Sequence, residues 1–268
     1  LRVVQPNINQ NEKYSEELFF TNIRRLVDLT GRQRANPRLV LWPEAAIPYA
    51  LEEDADARNA FSALLGPNDI LLTGGDALVR DGKGKLIAAR NSLFALDARG
   101  HILARYDKSH LVPYGEYLPM RPILSVIGLS RLVPGDMDFL PGPGPQSYAI
   151  PGFGTVGVQI CYEIIFSGQV VDRRHRPDFL FNPSNDAWFG AWGPPQHLAQ
   201  ARMRAIEEGL PIIRSTPTGI SALIDADGTV RNHVPWHQAG AITAPLPAPL
   251  PPTLFARFGN LLPFLFAI

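Results

Sequence analysis

The chain has 268 residues, 46% of them hydrophobic, with 25 Lys and Arg balanced by 25 Asp and Glu. That is enough apolar material for a real core in one large domain or two small ones, and the even charge excludes the basic field expected of a nucleic-acid binder. A single cysteine excludes an internal disulfide framework, and a low charged fraction with 26 prolines describes a compact, loop-rich protein rather than a disordered one.

Strand and helix patterns alternate along the chain. Residues 2–5 read as a short strand, and 16–34 as an amphipathic helix carrying Leu18, Ile23, Leu26, Val27 and Leu29. Residues 39–42 make a second strand, apolar on both faces, which suits a sheet covered on both sides. A third strand spans 69–75. Residues 92–96 and 102–106 form a hairpin around Asp97-Ala98-Arg99-Gly100. Strands follow at 156–161 and 179–181, with a helix over 164–173 between them. Residues 197–208 are helical, Gly209 stops that helix, and a strand begins over 211–215. A last hairpin joins 220–224 to 229–233 through Ala226-Asp227-Gly228. The order predicts an α/β sandwich with mixed sheets.

The Pro-rich stretch 245–252 reads as a linker, and the apolar run Leu261-Leu262-Pro263-Phe264-Leu265-Phe266-Ala267-Ile268 follows it. A bilayer-spanning helix takes about 20 apolar residues. The expectation is therefore one catalytic domain over 1–250, with 251–268 as the linker end and the start of a cut-short transmembrane helix. Leu1 is not an initiator methionine and no signal peptide opens the chain, so both ends are expected to be the edges of an excised piece.

Two motifs are set aside. Gly152-Phe153-Gly154-Thr155-Val156-Gly157 has dinucleotide-loop spacing but leads into a strand rather than a helix. His233 and His237 have the spacing of a helical metal pair, but Pro235 lies between them. Cys161 is more informative. It ends the apolar run Val156-Gly157-Val158-Gln159-Ile160, so it is either a buried small hydrophobe or a nucleophile. Glu44 and Lys108 also end apolar or β-patterned runs, in Leu41-Trp42-Pro43-Glu44 and Tyr106-Asp107-Lys108. Together they supply a thiol, a base and a cation, a set suited to acyl transfer. Taken singly, Glu44 is equally a strand-end cap and Lys108 a solvated surface group.

These segments resemble the nitrilase superfamily, whose members use a Glu-Lys-Cys triad in an α-β-β-α sandwich. Within it the chain is most similar to the catalytic domain of the apolipoprotein N-acyltransferases. The resemblance rests on Trp42-Pro43-Glu44-Ala45-Ala46-Ile47-Pro48, on the run from Tyr106-Asp107-Lys108 through Pro113-Tyr114-Gly115-Glu116-Tyr117-Leu118-Pro119, on Cys161-Tyr162-Glu163, on Asn182-Pro183-Ser184-Asn185-Asp186-Ala187-Trp188-Phe189-Gly190, and on Gln196-His197 through Ile206-Glu207. It implies a nitrilase-like four-layer sandwich and a ping-pong reaction at the periplasmic face of the bacterial inner membrane. A phospholipid acyl donor would load Cys161 as a thioester, and the N-terminal amine of a diacylated lipoprotein would take the chain. No cofactor or metal is implied.

By the same resemblance, Glu44 is the general base, Lys108 the oxyanion partner and Cys161 the nucleophile. Glu116 is a further required carboxylate, and Tyr162, Glu163 and Trp188 are substrate-side residues. Tyr14 stands where the family has a tryptophan. Structural alternatives stand beside these roles: Glu116 paired with an arginine, Glu163 holding a backbone turn, and Tyr162, Trp188 and Trp192 as packing.

The apolar segment 117–134 follows Glu116 and carries only two charges, both arginines, which suits a lipid surface. Two other classes are weighed. A soluble carbon-nitrogen hydrolase would resolve the Cys161 acyl-enzyme with water, and would need neither that apolar arm nor the apolar tail. A non-catalytic lipid-binding module would have no reason to keep all three triad residues.

Overall fold

The computed structural model describes residues 1–13, 15, 17–33, 35–120, 139–261 and 264, with Trp188 and Phe189 described by their backbone alone. Tyr14, the Trp188 side chain, most of the apolar segment 117–134 and most of the apolar tail therefore lie outside the described residues.

Two six-stranded mixed sheets stack face to face. The first has the order β12 (Gly240–Thr243), β1 (Arg2–Gln5), β2 (Leu39–Leu41), β3 (Ile70–Arg80), β4 (Leu86–Asp97), β5 (Ile102–Asp107). The second runs β11 (Val230–Val234), β10 (Ser221–Ile224), β9 (Ile212–Ser215), β8 (Phe179–Pro183), β7 (Gly154–Val158), β6 (Ser147–Ile150). Each sheet has a parallel centre, with β1, β2 and β3 in one and β7, β8 and β9 in the other, flanked by antiparallel strands.

Side-chain alternation builds the layers. Leu39 and Leu41 of β2 enter the core between the sheets with Val3, Leu72, Phe179, Phe181, Ile213 and Leu223. Val40 and Trp42 point the other way, into a second core with Leu26, Ala57 and Phe61. These come from the helices α2 (Phe19–Thr30) and α3 (Ala55–Ser62), which follow the short α1 (Gln10–Lys13). The opposite face of the second sheet packs Leu180, Ile212, Ala222 and Ile224 under Ala201 and Ala205 of α4 (Gly193–Glu208). The outcome is the expected four-layer α-β-β-α sandwich.

Several elements differ from the sequence expectation. The strand expected over 69–75 continues to Arg80 and forms a long hairpin with β4. Helix α4 starts four residues earlier than expected because Pro194 and Pro195 occupy its first turn, where a missing N–H costs nothing. No helix forms over 164–173. A 3-10 turn, Cys161–Ile165, takes its place, and the Glu163 side chain folds back to accept from the Ile160 N–H at 2.7 Å. Helix α3 was not expected; Asp54 caps it by accepting from the Ala57 N–H at 2.8 Å. The Pro-rich stretch does not hang free. Leu246 packs against the inter-sheet core, Leu250 donates to the Gly209 carbonyl at 3.0 Å, and the short α5 (Leu254–Phe258) follows. No helix among the described residues is long and apolar enough to cross a membrane.

Candidate active site

The three residues singled out by their positions at strand ends come together. Glu44 follows β2, Lys108 follows β5, and Cys161 opens the 3-10 turn three residues beyond the end of β7. All three are buried, and all line one cavity of about 430 Å³. Two of the turns are strained. Ala45, next to Glu44, has φ 46° and Cys161 has φ 50°, a left-handed conformation that non-glycine residues adopt at a cost of about 1–3 kcal/mol. Gly74 lets β3 approach the first turn, since a Cβ there would lie 2.4 Å from the Ala45 nitrogen and 2.7 Å from the Pro43 oxygen.

Four polar side chains form the wall facing the thiol. Lys108 Nζ donates to Glu116 Oε1 at 2.9 Å and to Glu44 Oε1 at 3.3 Å. Asn91 Nδ2 donates to the same two oxygens, each at 2.8 Å. Glu116 is held in turn by the Val112 N–H, 2.8 Å from its Oε2. Glu116 lies on the cavity wall beside Lys108, its cation partner among the described residues.

The Cys161 thiol lies within hydrogen-bonding reach of the Glu44 carboxylate and of the Asn185 carbonyl, the latter at 3.7 Å. Burial pushes the thiol pKa well up, and the Glu44 charge adds to this while Lys108 opposes it. For Glu44, burial acts upward, but Lys108 and Lys13 prevail and hold the carboxyl below its ordinary value. For Lys108, burial acts downward, but Glu44 and Glu116 prevail and keep it charged. The resting state is thus a neutral thiol, an ionised carboxylate and an ammonium.

Behind the thiol lies a second polar cluster that sequence reasoning assigned no role. His197 Nε2 donates to the Cys161 carbonyl at 3.1 Å, and its Nδ1 lies 2.9 Å from Asp186 Oδ1. Arg214 donates to Asp186, to Asn182 Oδ1 and, at 3.0 Å, to Ser184 Oγ. Asn182 Nδ2 closes the cluster on the Gln159 carbonyl at 2.6 Å. Burial would raise the Asp186 pKa, but Arg214 and His197 prevail and hold it at about 2. One signal was readable: Arg214 interrupts the apolar run Pro211-Ile212-Ile213 in a strand covered on both sides, where a charge needs a buried partner.

Two of the residues expected on the substrate side, Tyr162 and Glu163, have partners in the turn and the neighbouring loop. Glu163 is buried and receives five hydrogen bonds: at Oε1 from Tyr106 Oη, the Ser109 N–H, Ser109 Oγ and the His110 N–H, at 2.7–3.1 Å, and at Oε2 from the Ile160 N–H. It ties the loop after Lys108 to the turn that carries Cys161. The Tyr162 ring meets Phe166 edge-on at 5.1 Å. Neither Tyr162 nor Glu163 is among the described residues lining the cavity, whereas Lys13, Asp76, Asn91 and Asn185 are. Trp192 is 80% exposed. Leu118 is buried and Met120 exposed at the start of the apolar arm.

A family model for carbon-nitrogen hydrolases matches residues 1–250. The chain is similar to the apolipoprotein N-acyltransferase of Bradyrhizobium diazoefficiens, at 38% identity over 269 residues, covering 97% of this chain and 50% of that protein. It is 37% identical over 270 residues to the enzyme of the same name from Rhodopseudomonas palustris, with the same coverages. The chain thus spans about half the length of these relatives. Among solved structures, Saccharomyces cerevisiae Nit3 of the nitrilase superfamily matches with a TM-score of 0.64 at 20% identity, over 92% of this chain and 89% of that one. An amidase from Nesterenkonia, with the acetamide moiety of fluoroacetamide added covalently at its active-site cysteine, matches with a TM-score of 0.55 at 15% identity, over 100% and 97%.

Proposed function

The chain belongs to the carbon-nitrogen hydrolase family, and on that premise we propose that it is an N-acyltransferase that moves a fatty acyl chain from a phospholipid, through a Cys161 thioester, to the N-terminal amine of a diacylglyceryl-cysteine lipoprotein. One observation carries the reading: a buried thiol within reach of an ionised Glu44 carboxylate and facing the Lys108 ammonium, in a cavity whose walls are mostly apolar, among them Ile8, Phe19, Ile23, Leu26, Ile47 and Phe139. The similarity to named N-acyltransferases over nearly the whole chain supports the substrate class.

In the first half-reaction Glu44 takes the thiol proton as Sγ attacks the ester carbonyl carbon. Because burial holds the thiol neutral, the proton moves as the S–C bond forms. Lys108 faces the developing oxyanion, the kind of preorganised charge worth about 3–4 kcal/mol in the transition state. Collapse breaks the ester C–O bond, and the leaving lysophospholipid oxygen takes the proton back from Glu44. In the second half-reaction the acceptor amine attacks the thioester, Glu44 receives its proton, and the C–S bond breaks to leave an amide and a restored thiol. Glu163 positions Cys161 and Lys108 relative to one another without touching substrate. The site of action in this reading is the periplasmic face of the inner membrane.

Intact-protein mass after incubation with phospholipid micelles tests the reading. An acyl-sized increase is expected in the parent and absent from Cys161→Ala, and a diacylated lipopeptide with a free amine should discharge it. Ammonia release from small amides, with no acyl adduct formed from lipid, would instead identify a hydrolase.

A further inference from the structure

Asp76 of β3 and Asn91 of β4 are direct cross-strand partners, so their side chains stand side by side, and both line the cavity. The amide of Asn91 has a fixed orientation. Its nitrogen bridges Glu44 Oε1 and Glu116 Oε1, where an oxygen would face two carboxylate oxygens, so Oδ1 must point away from that pair. Asn91 is 7% exposed, and its Oδ1 has no hydrogen-bond partner among the described residues. Asn22, another buried residue of the cavity wall, donates from Nδ2 to the Glu12 carbonyl, and its Oδ1 likewise has no donor among the described residues. The buried side-chain atoms without partners on the described cavity wall are thus both acceptors.

The charges point the same way. Among the described residues, the carboxyl groups of Glu44, Asp76 and Glu116 line the cavity with the ammonium groups of Lys13 and Lys108. Burial pushes the Asp76 pKa up to about 6, against the pull of Lys13, and Glu44 and Glu116 push it further in the same direction. A cation with N–H donors at Asp76 would satisfy the open oxygen of Asn91 and counter the carboxylates that press on Asp76. Burying acceptors without donors is unfavourable unless a ligand supplies them.

We propose that Asp76 and Asn91 form an ammonium subsite that docks the primary amine of the acceptor beside the Cys161 thioester, with Asn22 as a further acceptor on the wall. This rests on the transfer reading above, and it adds where the second substrate binds. Asp76 and Asn91 are binding residues in this role: the docked ammonium loses one proton to bulk solvent before the neutral amine attacks, and the proton lost on amide formation passes through Glu44 to the leaving thiolate.

The experiment separates the two half-reactions. Cys161 is loaded with p-nitrophenyl octanoate and the acyl-enzyme is discharged with an S-diacylglyceryl-cysteine peptide bearing a free amine, both steps followed by intact mass. In Asp76→Asn the loading rate should stay within about twofold of the parent, while the amine concentration giving half-maximal discharge rises about tenfold or more, the size of one lost charged hydrogen bond. Asp76→Glu should recover part of the loss. An unchanged half-maximal amine concentration in Asp76→Asn overturns the proposal. Binding to Cys161→Ala supplies a readout that needs no chemistry. The free-amine peptide should bind more tightly than its N-acetylated twin, and adding Asp76→Asn should erase the difference. Equal affinities in Cys161→Ala overturn the subsite, whereas a parent that loads from neither phospholipid nor the activated ester overturns the transfer reading instead.

Discussion

Cys161 sits between two polar clusters of opposite character. The one in front, Glu44, Asn91, Lys108 and Glu116, faces the cavity and keeps an open acceptor on Asn91. The one behind, Asn182, Ser184, Asp186, His197 and Arg214, is sealed between β8, β9 and α4, and it grips the Cys161 carbonyl rather than the thiol. A cluster that must meet substrate turns its unfilled acceptor toward the cavity. One that only fixes a strained backbone can be walled off: Asp186 Oδ2 also lacks a partner among the described residues, but Asp186 does not line the cavity and its charge is balanced by Arg214 and His197.

Substitutions should separate the two clusters. Cys161→Ala should remove the acyl-enzyme completely while leaving the unfolding midpoint near that of the parent, as read by intact mass and urea titration. Arg214→Met should do the reverse. It strands Asp186 as a buried uncompensated charge, so the protein should lose about 3–5 kcal/mol of stability, and Arg214→Met combined with Asp186→Leu should recover part of that. If Arg214→Met unfolds no more easily than the parent, the rear cluster does not hold the fold as described.

Asp76 sharpens the contrast with a stabilising change. Its folded pKa of about 6 lies above the unfolded carboxylate value, so the folded state binds the extra proton between about pH 4 and 6, and stability falls as pH rises through that window. Asp76→Asn should therefore be more stable than the parent at pH 8 by on the order of 2 kcal/mol, with the difference vanishing near pH 4. A variant more stable but poorer at accepting amine would mark a site kept at the expense of stability. The smallest effect is expected at Glu163→Gln, which retains the shape but weakens five hydrogen bonds to a carboxylate. A loss of about 1–2 kcal/mol, with the rate of Cys161 loading reduced more than lipid affinity, would fit a residue that positions the turn.

Much of this molecule was legible before its fold. Strands such as 39–42 and 179–181 announce themselves by being apolar on both faces, and the triad stands out because each member ends such a run. What was not legible depends on pairing at a distance. Asn91 sits in the polar-looking half of β4, and nothing local says that it faces Asp76 or bridges Glu44 and Glu116. The 164–173 helix failed because the Glu163 carboxylate, expected to hold either a turn or a substrate, bonds back to Ile160 and forward to the loop at Ser109, fixing a single turn. Helix α3 was overlooked because its capping residue, Asp54, lies in an acidic stretch that reads as surface.

The pairing of β1 has a consequence for how the chain is made. Arg2 lies opposite Thr243, and β1 separates β12 from β2 in the first sheet. During synthesis β1, the first strand of this domain, therefore keeps an open edge until nearly the whole domain has emerged. Contacts so far apart in sequence form slowly, since the loop must close before they reward it. Maturation should thus depend on release of the residues around 243, and a ribosome stalled upstream of them should hold a chain in which protease cuts at β1. Completion of this sheet, rather than of the one carrying Cys161, is then the step at which the nascent enzyme becomes resistant to degradation.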